Sequence, residues 1–151
     1  MPIYRNEDGN VLEAITTSGF EFARTIAQEQ GFDLGAVLLG DKATNPPSVM
    51  ILDLPAGHVL EPHSHNTHRM EIVLKGSMLT GDGQELRVGD VSLSAPGEIY
   101  GPLTAGSAGC MTVEVFADMG GLVPQRADDT SAEGAALMAS IKERADKTLL
   151  S

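Results

Sequence analysis

The sequence predicts an all-β domain, a small barrel or sandwich of short strands with a helix at each end. Three observations carry this expectation. Seventeen glycines and eight prolines punctuate the chain, falling at short intervals through its middle. Between them lie apolar or alternating runs of strand length, spaced every 8–12 residues as in barrels and sandwiches. Outside this region the pattern changes to the 3.6-residue spacing of helices.

Taken in order, Phe20 to Gln30 carries apolar residues at Phe22, Ala23, Ile26 and Ala27 and stops at Gly31, which predicts a short N-terminal helix. Strands are expected at 35–39, 48–54, 70–75, 86–88, 91–94 and 111–116. Pro55-Ala56-Gly57 and Ala95-Pro96-Gly97 each follow an apolar strand and predict tight turns. Gly81-Asp82-Gly83 lies between Leu79 and Leu86 and predicts a hairpin tip, because glycine and aspartate tolerate positive φ. The β core therefore runs from about 34 to 118. Beyond it, Thr130-Ser131-Ala132-Glu133 has capping-box spacing, and Leu137, Met138, Ile141 and Ala145 form one stripe, so a C-terminal helix is expected over 130–148. Lys142, Arg144 and Lys147 complement the dipole at its end.

The 151 residues suit one domain, able to bury roughly 70% of its unfolded surface without a staple. A hydrophobic fraction of 42% with 21% charged residues excludes wholesale disorder. The net charge of -11 argues against nucleic acid and anionic membrane surfaces as partners. No apolar run approaches the ~20 residues of a membrane span. Cys110 is the single cysteine, which excludes an internal disulfide, and the N-terminus lacks the features of a signal peptide. The expectation is a cytoplasmic protein. Cys110 and the methionines read as core fillers, and Glu114, alternating with Met111, Val113 and Val115, reads as an acid on the face away from the core.

All four histidines fall within eleven residues, at 58, 63, 65 and 68. His63 and His65 are spaced i, i+2, so on a strand both imidazoles project to one face. Two neutral imidazoles side by side suit a divalent transition metal, which takes nitrogen donors at about 2.0–2.2 Å. His58 follows a turn glycine with the opposite parity and reads as a surface residue.

The spacing of Gly57, His63, His65 and Gly76 resembles the first motif of the cupin family, and Gly89-Asp90 with Pro96, Gly97 and Tyr100 resembles a degraded second motif. The resemblance covers roughly 34–118 and implies a single cupin β-barrel, a double-stranded β-helix or jelly roll, with a metal near its mouth. The compact single barrel resembles the acetylacetone-cleaving dioxygenase type, which implies Fe2+ held by histidines and an oxidoreductase that cleaves a C–C bond beside a carbonyl. Zn2+, Mn2+ or Ni2+ would instead favour an isomerase or lyase. The resemblance also implies a homodimer, with the C-terminal helix and the first forty residues as its interface.

Two departures from the family pattern stand out. Arg69 occupies the place of the family's glutamate, and Glu71, two residues on, shares its strand face one pleat deeper. An inward Arg69 would suit a carboxylate or enolate; the alternative is a salt bridge to Glu71 or Glu61. Tyr100 takes the place of the last family histidine, as an acid/base, as a ligand, or as a plug in the barrel. The third metal ligand is left open among His68, Glu71 and Tyr100. The function expected is a metal-dependent enzyme acting on a small carbonyl- or carboxylate-bearing molecule. The alternatives are a non-catalytic small-molecule-binding barrel, favoured by the two replacements, and a metal-free epimerase-like barrel.

Overall fold

The structure is a computed structural model that describes residues 1–128 and 130–149. In chain order its elements are α1 (Val11–Ile15), α2 (Glu21–Glu29), β1 (Asp33–Leu38), β2 (Ser48–Leu54), β3 (Val59–Leu60), β4 (His63–Ser64), β5 (Arg69–Leu79), β6 (Glu85–Arg87), β7 (Val91–Ser94), β8 (Leu103–Phe116), β9 (Gln125–Arg126) and α3 (Ala132–Leu149). The predicted strands are present, and the last one begins eight residues earlier than its apolar run, at Leu103. The N-terminal half of β8 is Leu-Thr-Ala-Gly-Ser-Ala-Gly, too small and polar to read as a strand. The brief α1, β3, β4 and β9 carry no periodicity that sequence could reveal.

The main sheet is antiparallel in the order β1-β2-β8-β5-β6, with β7 also on β5 and β3 also on β8. β8 is therefore its axis. Two register shifts in the β5–β8 ladder, at Val73/Lys75 and Gly76/Met78, bend the pair so that the sheet curls. Gly76 sits at this bend with φ +69, and a Cβ there would lie 2.0 Å from the Gly109 carbonyl oxygen, so only glycine allows the strands to approach.

Inward rows cross the sheet as Leu34–Leu52–Thr112–Val73, Ala36–Met50–Glu114–Glu71–Ser92 and Leu38–Ser48–Phe116–Arg69–Ser94. The apolar members of these rows join Phe20, Met78, Leu103 and Leu122 in the core. Glu114 thus points inward, contrary to the sequence expectation. The reason lies on the other side of the sheet, where Val49–Val115–Met70–Leu93 and Ile51–Val113–Ile72–Val91 form two apolar rows facing outward. With both faces rich in apolar residues, alternation could not say which was the core.

The helices serve the barrel. Asn10 caps α1 by accepting from the Leu12 and Glu13 backbone N–H groups at 3.0 and 3.3 Å. Leu12 and Ile15 of α1 then lie over Gly35. α2 and α3 lie across the barrel mouth, joined by the Arg144–Glu29 ion pair at 3.2 Å. α3 starts one residue later than its capping box suggested. Ser131 is its cap, accepting from Gly134 N at 3.0 Å, while the Thr130 hydroxyl donates to the Pro62 carbonyl at 2.9 Å. No helix among the described residues is long and apolar enough to cross a membrane.

Candidate functional site

Beneath α2 and α3 the barrel mouth holds a cavity of about 620 Å³, within the range of small-molecule sites. His63, His65 and Glu114 line it from the barrel side. His63 is positioned by its neighbours on both flanks: it exchanges backbone hydrogen bonds with Tyr100 at 3.0 and 3.1 Å and pairs with Arg126 of β9. Its Nδ1 lies 2.6 Å from the Glu61 carbonyl oxygen. A carbonyl only accepts, so the proton sits on Nδ1 and the Nε2 lone pair is left available. His65 is 3% exposed, and both of its ring nitrogens are buried without a partner. The two rings stand 5.2 Å apart, edge to face, and His65 rests on Phe116 at 4.7 Å.

Behind the imidazoles lies a buried charge cluster. Arg69, 4% exposed, donates from Nε to Glu114 Oε1 at 2.8 Å and from a terminal nitrogen to Glu114 Oε1 and Glu71 Oε2, each at 2.5 Å. The same guanidinium covers the Tyr100 ring, 4.3 Å from its centroid. Tyr100 packs on His63 at 4.7 Å and stacks near His65 at 6.2 Å, with its hydroxyl buried and unpartnered.

The sequence expectations for Arg69, Glu61, His68, Glu71 and His58 need correction. Arg69 does not reach out as an anion clamp, because both carboxylates beside it hold its donors. The salt bridge runs to Glu71 and Glu114, not to Glu61, whose carboxylate binds Ser131 on α3. His68 is exposed, and the three-histidine set with His63 and His65 is not brought together. Among the described residues no three His, Cys, Asp or Glu side chains form a metal-binding group. Glu71 is buried one pleat deeper, as parity predicted, but engages Arg69 and does not line the cavity. His58 is half-buried against Phe32 at 4.9 Å, on the cavity rim and not out on the surface.

Searches over solved structures find the same architecture elsewhere. A protein of unknown function with a cupin-like fold from Ralstonia eutropha JMP134 superposes with TM-score 0.55 at 16% identity, over 83% of this chain and 78% of its own. KdgF from Halomonas sp. gives 0.54 at 16% identity, over 85% and 97%.

The chain has a cupin fold.

A third neighbour, Bacillus subtilis oxalate decarboxylase, matches at TM-score 0.52 and 17% identity over 79% of this chain, which spans about a third (35%) of that enzyme's length. The chain likewise covers 45% of the Rhodobacter sphaeroides SigE–ChrR chain it resembles, at TM-score 0.48 and 16% identity over 57% of this chain. No protein-family model matches the sequence, and no curated protein does. Two participants were not legible as such in the sequence. Glu61 acts through its backbone oxygen, which carries no sequence signal, and Glu114 was assigned to the wrong face.

The electrostatics follow from burial. Desolvation pushes His65 down from 6.5 to about 4 and also lowers His63, so both rings are neutral at pH 7. Burial, reinforced by the Glu114 carboxylate, raises the Tyr100 phenol above its ordinary value and keeps it protonated. Burial would raise Glu114, but the charge and hydrogen bonds of the Arg69 guanidinium outweigh it and hold that carboxyl low. Burial and the neighbouring Glu114 instead raise Glu71. Burial likewise pushes the Cys110 thiol up to about 11, an inert core group as expected.

Two outcomes are expected. Arg69→Met leaves buried carboxylates without their cation and should cost about 3–5 kcal/mol in urea unfolding, most of it recovered by adding Glu71→Gln and Glu114→Gln. No recovery would show that the cluster is not the cause. His65 has a depressed folded value, so the unfolded chain binds more protons and stability falls as pH drops from 6.5 towards 4. The metal-free protein should lose about 3 kcal/mol over that window through His65, and His65→Gln should flatten the slope in pH-resolved denaturation.

Proposed function

We propose that this protein is a metal-dependent cupin enzyme acting on a small oxygen-bearing organic molecule held in the barrel mouth. The observation that carries the reading is the pair of buried neutral imidazoles facing one cavity. His65 has no partner for either ring nitrogen, and His63 has its Nε2 lone pair free because Nδ1 is committed to Glu61. Orphaned imidazole nitrogens fit Fe2+, Zn2+, Mn2+ or Ni2+, and the Tyr100 ring packs against both imidazoles. Among the fold's neighbours, the B. subtilis oxalate decarboxylase is described with Mn(II) centres. When bound, such a metal supplies a Lewis acid for a substrate carbonyl.

The chain's own residues do the rest. Glu61 fixes the His63 tautomer. Tyr100, kept protonated, does not itself line the cavity; it packs against both imidazoles and holds the His63 backbone. Arg69 and Glu114 hold the Tyr100 and His65 surroundings in place, and α2 with α3 limits the access of water. With iron, dioxygen-dependent C–C cleavage is the activity the resemblance implies; with the other metals, isomerase or lyase chemistry. The substitution of Arg69 for the family carboxylate favours a second reading, a ligand-binding barrel without catalysis. Dioxygen consumption on addition of a diketone separates the two. A reducing cytoplasmic setting belongs to the same reading, in keeping with the buried Cys110 thiol.

Metal content of tag-free protein, measured by mass spectrometry, tests the core of the proposal. Near-stoichiometric metal should be present in the native chain and lost in His63→Ala/His65→Ala. No metal after reconstitution with each of the four ions would overturn it.

We further propose that the expected homodimer forms through the outer sheet face. Within the chain, α1 and α2 pack on β1, and α3 packs on α2 and β9. The two outward rows contain no charged residue, and Leu93 and Val91 are 74% and 52% exposed. Copies of a chain this acidic meet with least repulsion on an uncharged face. Sedimentation should show a dimer that Val91→Glu/Leu93→Glu converts to monomer; a concentration-independent native monomer would refute it.

A further inference from the structure

The make-up of the cavity narrows what can occupy it. Its upper wall comes from apolar side chains of the two covering helices, Phe22 and Ile26 of α2 and Leu137, Met138 and Ile141 of α3. Phe32, Leu34, Met50 and Leu52 extend the apolar surface down into the barrel. Among the described residues its only charged lining residues are Glu61, Glu114 and Glu133, and no lysine or arginine lines it. Of the three acids, Glu61 is held by Ser131 and Glu114 by Arg69, which does not itself line the cavity. The polar groups left unpartnered at the floor are imidazole nitrogens, which offer a donor and an acceptor but no charge.

From this lining we infer that the barrel mouth selects an uncharged, largely apolar molecule with a single oxygen-bearing end directed at His63 and His65, and discriminates against carboxylates. In the metal-free barrel, an anionic head would lose hydration against an apolar wall whose charged lining groups are all acids, with no cation to replace the water. A neutral amide, carbonyl or hydroxyl loses less and recovers it through the imidazoles. The apolar body, facing two helices, supplies most of the binding. The preference belongs to the metal-free barrel, in which no cation stands at the imidazoles.

The inference rests on the barrel mouth being the substrate site, but it does not need the metal, and the test uses EDTA-treated protein so that the two fail separately. Isothermal titration compares 3-phenylpropanamide with 3-phenylpropanoate, which share a shape and differ in charge, and with acetamide, which lacks the apolar body. The phenyl amide should bind at least tenfold more tightly than both. Leu137→Trp, which fills the cavity from α3, should weaken the phenyl amide at least tenfold. Gln30→Lys, which places a cation on the rim without touching the core, should raise propanoate affinity relative to the amide at least threefold. Absence of amide binding, equal or tighter binding of propanoate, acetamide as tight as the phenyl amide, or no change of preference in Gln30→Lys would each overturn the inference.

Discussion

Most of the site's geometry depends on one buried cation. Glu71 and Glu114 face each other across the β5–β8 ladder, an arrangement that like charges oppose. Arg69, two residues before Glu71 on the same face, lies close enough to bond both carboxyls. Burying any one of these groups alone is costly, so each is tolerated only because the other two are present. The cluster clamps β5 to β8 where the inward rows change from apolar core to polar site. It also fixes Tyr100, whose ring lies under the guanidinium, and Tyr100 in turn carries His63 on its backbone.

This arrangement reverses the electrostatic sense of the cavity. An arginine beside two imidazoles looks like an anion receptor when read along the strand. Enclosed between two carboxyls, it contributes no free positive charge, and the cavity is left with neutral nitrogens and acids. Charge balance inside the barrel and selectivity at its mouth are therefore set by the same three side chains.

A second set of contacts ties the covering helix to the site. The Glu61 backbone oxygen sets the tautomer of His63, while its carboxylate accepts from the Ser131 hydroxyl and N–H at the start of α3. Gly134 makes this possible, since a Cβ there would come within 2.8 Å of the Glu61 side chain. The helix that roofs the cavity and the histidine on its floor are thus held by adjacent atoms of one residue. The C-terminal helix belongs to the site as well as to the packing.

The sequence by itself determined the barrel, the two flanking helices, the turns and the inward parity of 63, 65, 69 and 71. Those features follow from local periodicity and from glycine and proline, which act within a few residues of where they stand. It could not determine which face of β8 was the core, because Met111, Val113 and Val115 are as apolar as the inward set and the outward face of this sheet is apolar too. Only the tertiary structure decided that Glu114 meets Arg69, that His68 turns away, and that a helix more than sixty residues downstream closes over His63. Those outcomes rest on strand register and on charge compensation between residues far apart in the chain, and both exist only once the strands have paired.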